Sequence, residues 1–175
     1  MSGMKRLLPV LLLAALGFGP AFGQTSALKG HNSNAPVDVA ADRIEVQDRA
    51  DRAIFSGNVV VRQGELTLTA ARLTVAYSSG GGVELRRIDA TGGVSVRSPS
   101  ETARGNVGIY DLERRIITLI GDVSLVQRDA RVNGGRLTID LDSGRAVMDG
   151  GGPPGTTSQG GRVTGTFTVP PKKGG

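Results

Sequence analysis

No cysteine occurs anywhere in the 175 residues. That excludes a disulfide framework, a thiolate nucleophile and a cysteine metal site, and leaves sheet hydrogen bonding and apolar burial as the sources of stability. Tryptophan is also absent, and there are only two tyrosines and four phenylalanines. Valine, leucine and isoleucine must therefore line the interior. With so few rings to stack on bases, and with arginines scattered along the chain, a net charge of +5 does not make a nucleic-acid partner. The single histidine, His31, lies in a polar stretch, so no histidine triad or histidine metal cluster can form within one chain. The serines accordingly have no histidine to activate them.

Long apolar runs are lacking too. The longest, Leu7 to Phe18, has twelve residues, short of the ~20 that a membrane-spanning helix needs. Lys5 and Arg6 precede it, and Pro20-Ala21-Phe22-Gly23 follows with small residues suited to cleavage between Gly23 and Gln24. These three parts in order predict a cleaved signal peptide over residues 1–23 and a periplasmic destination; an uncleaved membrane anchor is the alternative. No cysteine follows the site, which argues against a lipoprotein. Removing Lys5 and Arg6 lowers the net charge from +5 to +3, an ordinary surface that also suits a phosphate-bearing partner.

Beyond that segment, no apolar pattern at helical spacing lasts more than a turn, whereas period-two alternation is pervasive. Four segments align on a glycine: 53–57, 88–92, 117–121 and 146–150, with the glycines 35, 29 and 29 residues apart. Counting in twos, one face reads Ala53, Phe55, Gly57, Val59, Val61, the next Ile88, Ala90, Gly92, Val94, Val96, and the third Ile117, Leu119, Gly121, Val123, Leu125. The other face is polar apart from Ile54, Val60 and Ile120. This is the pattern of half-buried strands with one dry face. A glycine recurring at one phase of a strand marks a bulge or bend, here a crease across the sheet.

A second family of strands interleaves with the first: Ile44 to Val46, Leu73 to Tyr77, Val107 to Ile109 and Leu137 to Leu141, spaced by 29, 34 and 30 residues. Turns fall at Arg62-Gln63-Gly64, at 78–82 and at Asp142-Ser143-Gly144. Repetition at about thirty residues predicts an all-β wound or stacked architecture in which each unit covers its neighbour's apolar face. The organisation expected is a polar, disordered leader over 24–35, a β domain over 36–150, and a Gly/Pro-rich segment over 151–175 holding a last strand at 162–169. Asp140 and Asp142 lie two apart, yet one falls on the wet face and the other in a turn. Gly80-Gly81-Gly82 precedes no helix and so is not a phosphate cradle. No catalytic residue, metal or cofactor is expected.

Residues 36–39, 41–44 and the stretch Phe55-Ser56-Gly57-Asn58-Val59-Val60-Val61-Arg62-Gln63-Gly64 resemble the LptA/OstA-like family of lipopolysaccharide-transport proteins. Ala103 to Val107, Thr118 to Val123 and Asn133 to Thr138 are similar to that family's second half. The resemblance covers Pro36 to about Gly150. It implies an open antiparallel β-jelly roll with a lipid A groove, and a periplasmic bridge between an LptC-like inner-membrane partner and an LptD-like outer-membrane partner. A head-to-tail homo-oligomer is implied as well. The groove residues would be Ile44, Val46, Phe55, Val59, Val61, Leu73, Val75, Val94, Val96, Val107, Ile109, Ile117, Leu119, Val123, Leu125, Leu137, Ile139, Leu141 and Met148. The lipid's phosphates would lie near Arg43, Arg62 or Arg97. A membrane-anchored LptC-like component and a structural β-repeat protein with a plain packed core remain the alternatives.

Overall fold

The computed structural model describes residues 31–128, 130–151 and 161–168; the targeting segment of residues 1–23 lies outside them. Ten strands follow in order: β1 (Asp38–Ala40), β2 (Arg43–Gln47), β3 (Arg52–Gln63), β4 (Leu66–Ser78), β5 (Glu84–Arg97), β6 (Glu101–Asp111), β7 (Ile116–Gln127), β8 (Ala130–Asp140), β9 (Arg145–Asp149) and β10 (Thr164–Phe167). A short 3-10 turn, Asp48–Ala50, follows β2. All strands join one antiparallel sheet, in which β3 to β8 lie side by side in chain order. At one edge β2 pairs with the first half of β3 and β1 with its second half. At the other edge β9 and β10 share β8 in the same way. The sheet is thus open, with two free edges.

The sheet folds on itself along a line through the middle of the long strands. There β3, β5 and β7 each place two consecutive residues in the left-handed region: Gly57-Asn58, Gly92-Gly93 and Gly121-Asp122, with φ between 45° and 83°. Pairing slips by one residue at each of these points, between Ser56 and Val59, between Thr91 and Val94, and between Ile120 and Val123. An extra residue on one strand of an antiparallel pair bends that strand and increases its twist. Repeated on alternate strands, it bends the whole sheet into two layers. The first layer holds β2, β9 and the adjoining halves of β3 to β8; the second holds β1, β10 and the remaining halves.

The crease also controls which residues face inward. On the odd strands the extra residue keeps the alternation in step, so Ala53, Val59 and Val61 all point in. The even strands cross the crease with two outward residues in succession, such as Ala71-Arg72 on β4, and their inward row jumps from Ala70 to Leu73. The inward rows of both layers merge in one core, where Leu73, Ala90, Leu119 and Leu137 are completely buried.

Crease geometry explains the glycines in phase. A Cβ on Gly92 would stand 2.6 Å from the Ala71 Cβ, and one on Gly121 would stand 2.8 Å from Asn106 Nδ2. At Gly57 the obstruction is the Asp42 carboxylate. Two of the three bends carry matching side-chain links, Asn58 Nδ2 to Asp42 Oδ2 at 2.8 Å and Asn106 Nδ2 to Asp122 Oδ2 at 3.1 Å. Gly93 shares the φ of Gly92 but has open space where its Cβ would be. Gly93→Ala is expected to lose about 1–2 kcal/mol from backbone strain alone. Gly92→Ala should lose a further 1–3 kcal/mol or so from overpacking against Ala71. Urea denaturation of the two variants reads the difference; equal losses would mean that the crease packing at Ala71 is unimportant.

Candidate functional site

The inward row is the candidate site. Val59, Val61, Leu73, Val75, Val94, Val96, Ile117, Leu119, Val123, Leu137, Ile139 and Leu141 are all buried in it, and Phe55, Leu125 and Met148 pack against it half-buried. Ile44 and Val46 lie opposite Phe55 and Ala53 on β2, in the inward phase but at the free edge, where each is 57% exposed. At the other free edge Phe167, opposite Ala130 on β10, is 54% exposed. Apolar surface in the inward row therefore reaches solvent at both ends of the sheet.

Val107 and Ile109 do not belong to this row. They pair with Ile120 and Thr118 on the outer face, while Gly105, Gly108 and Tyr110 take the inward positions of β6. The cause is the even-strand jump at the crease: Asn106 and Val107 face outward in succession. Simple alternation from Val107 gives the opposite answer. Conversely, Leu66, Leu68 and Ala70 are buried although the sequence pattern alone suggested no strand there. Their alternation in Leu66-Thr67-Leu68-Thr69-Ala70 was the available signal.

Gln63 is a further inward residue that sequence reasoning missed, because it stands in what reads as a turn. Its side chain is 3% exposed, so every polar atom needs a partner. Its Nε2 donates to the carbonyls of Ser33 at 2.9 Å and Ala35 at 3.0 Å. Its Oε1 accepts from the Tyr110 hydroxyl at 3.1 Å and lies 3.1 Å from His31 Nε2. Burial pushes the Tyr110 hydroxyl above its ordinary pKa, which keeps it a neutral donor. Arg115, in the β6–β7 turn, donates to Asn34 Oδ1 at 3.2 Å and to Asp142 Oδ1 at 3.0 Å.

Residues 31–35 thus form a strap across the strand ends farthest from the crease, tied to Gln63 in the second layer and to Arg115 in the first, while Tyr110 bonds Gln63 directly from the first layer. Composition predicts a disordered leader over 24–35; residues 31–35 are instead held by these bonds, and 24–30 lie outside the described residues. At the C-terminal end, the strand expected over 162–169 is β10, with Val169 outside the described residues.

The carboxylates of Asp140 and Asp142 do structural work. Backbone amides of Ser143 and Asp142 donate to Asp140 Oδ1 at 2.9 and 3.0 Å. They hold its carboxyl below the ordinary range, the Ser143 amide most strongly. Asp142 pairs with Arg115. Both carboxylates therefore fasten the β8–β9 turn.

A creased, open antiparallel sheet with an apolar interior and free edges at both ends defines the class of protein: an open β-jelly roll. Residues 38–145 match the model of a family described as LptA/(LptD N-terminal domain) LPS transport protein. An uncharacterised protein of Rhizobium meliloti is 31% identical over 78% of this chain and 83% of its own length. Lipopolysaccharide export system protein LptH of Pseudomonas aeruginosa is 25% identical over 93% of this chain and 91% of its own. LPS-assembly protein LptD of Yersinia pestis is 36% identical over 49% of this chain, which is only 11% of that longer protein. A crystal structure of LptH, described as the LptA-homologous periplasmic component of the lipopolysaccharide transport device, superposes with a TM-score of 0.70. It does so at 20% identity, over 79% of this chain and 99% of the other, and so supports the fold alone. The chain belongs to the LptA/(LptD N-terminal domain) family of LPS transport proteins. That is a family of transport components and not of enzymes.

The Gln63 network yields a direct test. Gln63→Leu keeps an inward side chain but strands the Tyr110 hydroxyl and the carbonyls of Ser33 and Ala35. It should lose about 1–3 kcal/mol in denaturant unfolding and accelerate amide exchange over residues 33–37. Unchanged exchange there would show that Gln63 does not hold the strap.

Proposed function

We propose that the chain carries lipopolysaccharide across the periplasm, with the lipid A acyl chains held between the two layers. The observation that carries this reading is the continuous Val/Leu/Ile row from β3 to β9, reaching solvent as Ile44 and Val46 at one edge and Phe167 at the other. Each methylene moved out of water contributes about 0.8 kcal/mol, so a lipid with several chains needs such a surface to cross an aqueous space. Aliphatic walls supply that surface without fixing the position of a chain along the row, which suits passage better than storage.

The interior is packed on itself, and Ile117, Val123 and Ile139 are 1% exposed. Chains can enter only if the layers part. Opening is inexpensive in hydrogen bonds, because strand pairing runs along the sheet and around the crease. Cross-layer bonding among the described residues is concentrated in the Tyr110–Gln63 bond and the 31–35 strap beside it. The side chains that separate as the layers part are apolar, and acyl chains pack against them in place of one another.

The free edges suit strand addition by like-folded domains, which would make the apolar row continuous from one protein to the next. In this reading the β1/β2 edge meets the LptC-like inner-membrane partner and the β9/β10 edge the LptD-like outer-membrane partner. A second copy could join head to tail through the same edges. Similarity to both LptA-type proteins and the N-terminal part of LptD supports such a series of related domains. The chain reaches the periplasm through its N-terminal signal.

Photo-crosslinking tests the groove in cells that make lipopolysaccharide. A photoreactive residue at Phe55, Val123 or Met148 is expected to label the lipid, while Thr118 on the outer face of the first layer is not. Equal labelling from both faces, or none from the inner row, would leave the row a plain packed core.

A further inference from the structure

The two layers carry their charge differently. All four ion pairs among the described residues lie on the first layer or its turns: Arg86 with Glu113, Arg87 with Asp89, Arg114 with Asp111 and Arg115 with Asp142. Among the described residues, the outer face of the second layer has none. Strand register sets out one outward row across it: Asp38, Arg62, Thr67, Arg97, Thr102, Val126, Arg131, Thr166. The next row toward the crease adds Arg104 between Ser95 and Ser124.

Arg62, Arg97, Arg104 and Arg131 are exposed and make no ion pair among the described residues. Away from the crease, the exposed carboxylates described on this layer are Asp38 at its edge and Glu65 in the β3–β4 turn; Glu101 is buried on the inner side. Threonine, serine and the half-buried Val126 stand between the arginines, so the face is cationic and mainly hydrogen-bonding.

Spacing identifies the partner. Neighbouring strands stand about 4.8 Å apart, which puts Arg62 and Arg97 roughly 10 Å apart and Arg97 and Arg131 roughly 14 Å apart. One phosphate cannot meet all four arginines, because Arg62 on β3 and Arg131 on β8 stand five strand spacings, roughly 24 Å, apart. A plane of phosphate headgroups can meet every arginine at once. We propose that the outer face of the second layer docks on an anionic bilayer surface, with Arg62, Arg97, Arg104 and Arg131 against the lipid phosphates. The first layer, where arginines are balanced by carboxylates such as Glu45, Asp89, Asp111 and Asp140, then faces away from the membrane. Docking by this face lays the β1-to-β9 direction along the membrane plane, so it concerns the chain outside the edge-to-edge series proposed above; it does not depend on the acyl-chain interior.

The test is co-sedimentation of the protein, as purified from cells, with phosphatidylcholine vesicles that either contain or lack phosphatidylglycerol, all free of lipopolysaccharide. Binding is expected only to the anionic vesicles. Each arginine near an anionic surface is worth about fivefold in affinity, so the Arg62→Gln, Arg97→Gln, Arg104→Gln, Arg131→Gln variant should bind at least about tenfold more weakly. Removing the same charge from the first layer (Arg86→Gln, Arg87→Gln, Arg114→Gln, Arg145→Gln) should leave binding nearly unchanged. Lysine at the four second-layer positions should retain it. Any apolar leader is common to all variants and cancels in the comparison. Equal loss in the two glutamine variants, or equal binding to neutral vesicles, would overturn the proposal without touching the groove reading.

Discussion

The structure depends on one recurring constraint, the pair of left-handed residues at the midpoint of each odd strand. A flat sheet of these strands would leave one apolar face in water. Gly57-Asn58, Gly92-Gly93 and Gly121-Asp122 let the sheet cover that face with its own other half. Because the bends come at intervals of about thirty residues, they align into one fold line and not a scatter of bulges. The core, the two layers and the free edges all follow from that alignment.

Self-covering differs in kind from the closure of a barrel or the packing of a helix on a sheet. A barrel closes with backbone hydrogen bonds, whereas this sheet closes mostly with side chains and remains open at β1/β2 and β9/β10. The first arrangement locks its seam with backbone bonds, whereas the second leaves the layers joined mainly by side-chain packing. The strap of residues 31–35, bonded to Gln63 and Arg115, and the Tyr110–Gln63 bond beside it are the polar exceptions lying across the opening. A closed interior joined mainly by apolar packing is what the proposed lipid-carrying role requires.

Much of this was legible in the sequence, for physical reasons that can be named. Odd strands keep their alternation through the crease, so Phe55, Val59, Leu119 and Val123 are read correctly by counting in twos from a glycine. Even strands lose step there, and no residue type announces the jump; Val107 and Ile109 are apolar on a face that is otherwise mixed. Gln63 and the strap were hidden for another reason. A buried amide satisfied by Ser33, Ala35 and Tyr110 depends on bonds between residues far apart in sequence, which local pattern does not reveal. The cationic second-layer face is hidden in the same way, since Arg62, Arg97 and Arg131 share a row only once the register is known.

The central claim is that the two layers part to admit acyl chains. The natural absence of cysteine makes site-directed spin labelling straightforward. Labels at Thr102 on the second layer and Thr118 on the first report the separation by pulsed electron resonance. Adding lipopolysaccharide should lengthen that distance by several ångströms, the thickness of an inserted chain layer. A distance unchanged while lipopolysaccharide is bound would contradict the account, because the lipid would then sit outside a core that never opens.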